Sequence, residues 1–132
     1  MKIIQMLTTI SHGDAVGNDV LALEKVILNM GYETGIYAEN IDPKLPVGMA
    51  KPVYKMPLLN EKDIILYHLS TGTRLNYELE CYKGRKIMIY HNITPPEFFH
   101  GYSSHAFELC TDGLRGMKYL SNKVQYCQRF RF

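Results

Sequence analysis

Four short apolar runs, separated by segments of a different period, constrain this chain more than any other feature. Residues 2–7, 33–38, 63–68 and 86–91 are runs of this kind, and the first, third and fourth are close to continuous rather than alternating. A strand with one wet face alternates, whereas a strand covered on both faces reads as an almost unbroken apolar run, as in a parallel sheet between helices. Between the first two runs the period changes: Leu23, Val26, Ile27 and Met30 recur at helical spacing. Asn18 is a candidate N-cap for that helix, and Gly31 stands where it would stop. A second short helix is expected at about residues 76–82. A third is expected over about 104–123, although Gly113 and Gly116 argue against one continuous helix there. Residues 39–59 carry Pro43, Pro46, Pro52 and Pro57 and read as an irregular connector, with a short extended piece at Val53–Lys55. The run at 86–91 is the last clear strand.

Strand, helix, strand, connector, strand, helix, strand is the signature of an α/β domain with a Rossmann-like, doubly wound and mostly parallel sheet. If the first strand is central, residues 63–68 lie beside it across the switch point. The loops that begin at Thr8 and Leu69 then form the two lips of one crevice. Ligands of such sheets bind there, outside the carboxyl ends of the strands. At 132 residues the chain is one domain or part of one, and a chain of that size buries roughly two-thirds of the surface its unfolded form exposes.

A net charge of +2, with no basic block except residues 128–132, is too weak an excess to argue for nucleic acid. The ten tyrosines form no stripe interleaved with lysines, which points the same way. Cys81, Cys110 and Cys127 are widely spaced and odd in number, so they support neither a disulfide framework nor a zinc site. Buried free thiols in a reducing cytosol are the simplest reading. The opening apolar run is broken by Gln5 and ends in Thr8-Thr9, too short for a signal peptide or a spanning helix. A cytoplasmic protein is expected.

The stretch Ile87-Met88-Ile89-Tyr90-His91-Asn92-Ile93-Thr94-Pro95-Pro96-Glu97-Phe98-Phe99 carries the strongest chemical signal. An apolar run stops at a histidine and an asparagine, and two prolines stiffen the exit. Histidine is the side chain whose unperturbed titration falls near neutral pH, so His91 stands where chemistry would occur. Tyr67-His68-Leu69-Ser70-Thr71-Gly72 echoes it at the preceding strand end. With neighbouring strands about 4.8 Å apart, the two imidazoles could serve one crevice as hydrogen-bond donors or as general acid and base. They could equally be structural histidines bonded to backbone. His12, His100 and His105 read as loop or surface residues, and Phe98 and Phe99 as packing residues.

The first loop, residues 11–19, leads from a strand into a helix N-terminus, a place suited to an anion. Its glycines, Gly13 and Gly17, match neither a dinucleotide fingerprint nor a P-loop, and Asp14 opposes a tightly held phosphate. A plain structural turn is the competing reading. No serine lies on a G-x-S-x-G elbow.

Taken together, Gly13-Asp14-Ala15 with Asn18, Gly35-Ile36-Tyr37-Ala38, residues 63–72 and residues 90–99 resemble the N-terminal domain of group 1 glycosyltransferases, glycosyltransferase family 4 with a GT-B fold. The resemblance runs in consistent order from residue 1 to about residue 124. It implies an acceptor-side domain facing, across a cleft, a C-terminal domain that holds a nucleotide-sugar donor. It implies transfer of a hexose to a saccharide or lipid-linked acceptor, without a metal or other cofactor, in the cytoplasm or peripherally at the inner face of the membrane. It implies that Gly13, Asp14 and Ala15 approach the donor diphosphate and that His91 is the catalytic-site histidine near the donor sugar. Asn18, His68, Ser70, Gly72 and Asn92 join them as donor- or acceptor-binding candidates. The donor-binding domain is not encoded in these residues, and the end at 128–132 departs from the family. The expectation is therefore a single, incomplete domain from a truncated chain, a split gene or a frameshift, inactive alone and associating with itself through apolar surface left uncovered. The alternative is a standalone Rossmann-like module that binds a sugar, a nucleotide or a partner without catalysis. A small flavodoxin-like regulatory domain is disfavoured, because no acidic cluster marks the strand ends.

Overall fold

The computed structural model describes residues 1–91 and 93–130, with side chains through residue 126. Among the described residues the strands and α-helices follow in the order β1 (Lys2–Ile10), α1 (Ala15–Asn29), β2 (Glu33–Ile41), β3 (Lys51–Pro52), β4 (Ile64–Leu69), α2 (Leu75–Glu78), β5 (Arg85–His91), α3 (Ser104–Leu120) and β6 (Tyr126–Phe130). The six strands form one sheet in the order β3-β2-β1-β4-β5-β6, and every pairing is parallel. This is the α/β, Rossmann-like architecture expected from the apolar runs, with β1 central and β4 beside it. Leu7 pairs with His68 and His68 with Ile89, so the ends of three strands arrive at one edge in register.

Side chains alternate across a strand, and each face of the sheet gathers its own core. Ile4, Met6, Ile65, Tyr67, Leu69, Met88 and Tyr90 pack under α2 and α3, together with Leu75, Leu79 and Leu120. On the opposite face Leu7, Ile10, Ile36 and Ala38 pack against Val20 of α1. No described helix is long and apolar enough to cross a membrane.

Several boundaries differ from expectation for identifiable reasons. The N-cap of α1 stands four residues before Asn18. Asp14 is its N-cap, with extended backbone and a side chain that accepts from the Val16 N–H at 2.8 Å. Asn18 lies inside the helix and donates its own N–H to the Asp14 carbonyl. Gly31 does follow the helix, at φ +88°. Residues Val53–Lys55 are a 3-10 turn rather than an extended piece; the pairing with β2 is made by Lys51 and Pro52. A strand beyond residue 91 was not expected, yet β6 pairs with β5 from Ile87 to His91.

Helix α3 is continuous through Gly113 and Gly116, both of which are buried. A Cβ at Gly116 would stand 2.5 Å from Asn76 Nδ2, and one at Gly113 would stand 2.6 Å from Ile93 Cδ1 and 3.0 Å from the Thr71 carbonyl carbon. The two glycines let α3 lie almost against the 71–76 segment, a gain in packing that offsets their low helix propensity. The thiols also depart from the buried reading: Cys81 is exposed and Cys110 half-buried. Cys127 lies where side chains are not described. Phe98 is exposed rather than packed, while Phe99 is half-buried.

Candidate functional site

The site grows from a polar interruption in the first apolar run. Gln5 points to the α1 face of the sheet and is fully buried. Its amide nitrogen donates to the Val20 carbonyl at 2.8 Å and to Glu24 Oε2 at 3.0 Å. The same carboxylate oxygen accepts from Thr34 Oγ1 at 2.9 Å. Gln5 Oε1 lies 2.9 Å from His68 Nε2, and His68 Nδ1 lies 2.8 Å from His91 Nε2. The two imidazoles stack with centroids 5.1 Å apart and planes 26° from parallel. A single polar chain therefore runs from α1 through β1 and β4 to the end of β5. His68 is fully buried and His91 is 4% exposed.

Burial governs the charge of both rings. His68 is pushed down to about 3, first by desolvation and then by the neighbouring His91, and so stays neutral at physiological pH. His91 is also lowered by desolvation, but the carboxylates of Asp19 and Asp14 pull it back up. Asp19 Oδ2 is itself buried without a hydrogen-bond partner among the described residues. The outer ring thus feels the Asp14 cap and Asp19 of α1, whereas the inner ring is shifted by burial and by His91 alone.

The loop after β1 is held firmly. Gly13 takes φ +76°, a left-handed conformation that favours glycine. Gly17, in the first turn of α1, passes so close to Ser11 that a Cβ would stand 2.6 Å from its carbonyl oxygen. The His12 N–H donates to Asp42 Oδ2 at 3.0 Å, and Lys44 N–H donates to Asp42 Oδ1 at 2.9 Å. These backbone donors keep the Asp42 carboxyl below the usual range and tie the loop to the end of β2.

The structure thus brings together His91, His68 and the loop of Gly13, Asp14 and Ala15. Gly13, Ala15 and Asn18 are exposed and Asp14 is half-buried, its carboxylate engaged as the helix cap. His68 lies a little deeper than the buried His91, bonded to side chains rather than to backbone. Ser70 is half-buried. Gly72 turns toward α3, where its N–H donates to the Leu109 carbonyl at 3.1 Å and a Cβ would meet Asp112 and Leu109 at 2.7 Å. Asn92 lies outside the described residues. His12, His100 and His105 are exposed, as expected. Among the described residues, no group of three or more His, Cys, Asp or Glu comes together as a metal site would require.

Sequence reasoning missed Gln5, Glu24 and Asp19. The signal for Gln5 was present: a lone amide at the centre of an otherwise apolar strand must find partners when buried. Glu24 and Asp19 gave no such sign, because carboxylates on an amphipathic helix normally face water.

No family model matches this chain, and no significant match to it is found among the curated proteins or among the solved structures.

Proposed function

We propose that this chain is the N-terminal, acceptor-side domain of a glycosyltransferase that moves a hexose from a nucleotide sugar to a saccharide or lipid-linked acceptor. The observation that carries the reading is the position of His91. It closes β5 at the carboxyl edge of a parallel sheet, is fixed from behind by His68, and is electrostatically coupled to the loop that follows β1. Strand ends on either side of a switch point are where such sheets bind ligands, and the motif order along the chain agrees. Gly13, Asp14 and Ala15 form the opposing lip. The donor would be gripped by a second domain outside these residues, so the chain alone performs no transfer and binds free nucleoside diphosphate weakly. Transition-state charge on the departing diphosphate would be stabilised between the two domains.

The test is a titration of the ¹⁵N-labelled chain with UDP-glucose, UDP and lactose, followed by amide shifts. Sugar-bearing ligands should perturb Gly13, Asp14, Ala15 and His91 at millimolar concentration, UDP should do so weakly or not at all, and His91→Ala should abolish the response. Shifts confined to other surfaces, or release of labelled glucose onto lactose by the chain alone, would overturn the reading. Micromolar or tighter binding without transfer would instead identify a standalone binding module.

A further inference from the structure

We propose that Gln5 is a positioning residue that acts through His68 to hold His91 in one tautomer, with Nε2 protonated and Nδ1 carrying the lone pair.

The argument follows the hydrogen bonds outward from α1. An amide offers two N–H donors on one side and a carbonyl acceptor on the other. The Gln5 group facing Val20 meets a backbone carbonyl at 2.8 Å and a carboxylate oxygen at 3.0 Å. Both are acceptors only, so that group must be the NH₂ and the opposite atom must be the oxygen. The oxygen faces His68 Nε2 at 2.9 Å, which makes that nitrogen the donor. Neutral imidazole has one N–H, so His68 Nδ1 is an acceptor. It lies 2.8 Å from His91 Nε2, which must then donate. Each assignment forces the next, and the starting point is a main-chain carbonyl that cannot change its role.

The assignment makes Nδ1 the lone-pair nitrogen of His91, on a ring that is itself buried and that feels the carboxylates of Asp19 and Asp14.

The tautomer is measurable without any ligand, so its test is independent of the proposed function. Long-range ¹H–¹⁵N correlation spectra of the histidine-labelled 132-residue chain at pH 7.5 should show both His68 and His91 protonated at Nε2. Gln5→Leu removes the acceptor for His68 Nε2–H, and a buried N–H without a partner is disfavoured. The pair should then relax toward the opposite arrangement, with the ratio of the two His91 tautomers changing by about tenfold or more. A wild-type spectrum with His91 protonated at Nδ1 would overturn the proposal. So would a folded Gln5→Leu variant whose His91 tautomer is unchanged. The wild-type measurement decides the assignment even if the variant does not fold.

Discussion

On the face under α2 and α3, β1, β4 and β5 contribute Ile4, Met6, Ile65, Tyr67 and Met88 to a close-packed core. On the face under α1, the same three strands contribute Gln5, His68 and His91, equally buried and joined through hydrogen bonds. The strands are shared and the depth is similar, so the difference lies in which residues the two-residue alternation sends to each side. The first face derives its stability from apolar burial and tolerates no gap. The second gives up part of that gain to hold one imidazole in a defined orientation at a strand end. Its polar chain is acceptable only because each of the inner groups, Gln5 and His68, is satisfied.

The sharpest way to break the comparison is to remove volume from the apolar face. Met6 is fully buried there, and Met6→Ala should cost about 2–5 kcal/mol of stability by transfer and cavity effects. Urea unfolding would measure it, and the histidine pair should be unchanged while the protein remains folded. A loss below about 1 kcal/mol would mean that this face is far looser than its burial indicates.

The polar face should instead reveal itself through pH. His68 titrates near 3 when folded because desolvation excludes the charged form, against about 6.5 in an unfolded chain. Above 6.5 both states are neutral at this residue and its stability contribution is complete. Below 6.5 the unfolded state takes up the proton first, so stability falls as the pH drops toward 3. The loss between pH 7 and pH 5 should be about 2 kcal/mol from this residue, and His91, lowered in the same direction, adds to it. Urea midpoints across that range would show the slope. His68→Leu should flatten it, and a slope unchanged in that variant would place the acid sensitivity elsewhere.

The smallest effect separates two candidate caps of α1. Asp14→Ala removes the side chain that accepts the Val16 N–H and should cost about 1 kcal/mol. Asn18→Ala, at an exposed position within the helix, should change stability by less than about 0.5 kcal/mol. Equal effects in thermal unfolding would contradict the observed helix start.

Much of the fold was legible because apolar runs and helical periodicity report local burial. The runs at 2–7, 63–68 and 86–91 identified three strands that form the centre of the sheet, and their order identified the switch point. Other features depended on partners distant in sequence. β6 escaped notice because residues 126–130 lack a long apolar run, and pairing with β5 from Ile87 onward establishes the strand. Gly113 and Gly116 looked like helix breakers until the contact with Asn76 and Thr71 gave them a purpose. The site divided in the same way. His91 stood out through its place between an apolar run and two prolines. The meaning of Gln5 emerged only once Val20, Glu24 and His68 surrounded it.

The sequence by itself determined that this chain forms a parallel α/β sheet with a histidine at the end of a strand, because hydrophobic period and proline stiffness act over a few residues. Tertiary structure alone decided that His91 leans on His68 and His68 on Gln5. Those three residues stand on different strands, 23 positions apart in one case and 63 in the other. Strand register, set by the whole sheet, brings their side chains within hydrogen-bond reach, and no local pattern encodes that meeting.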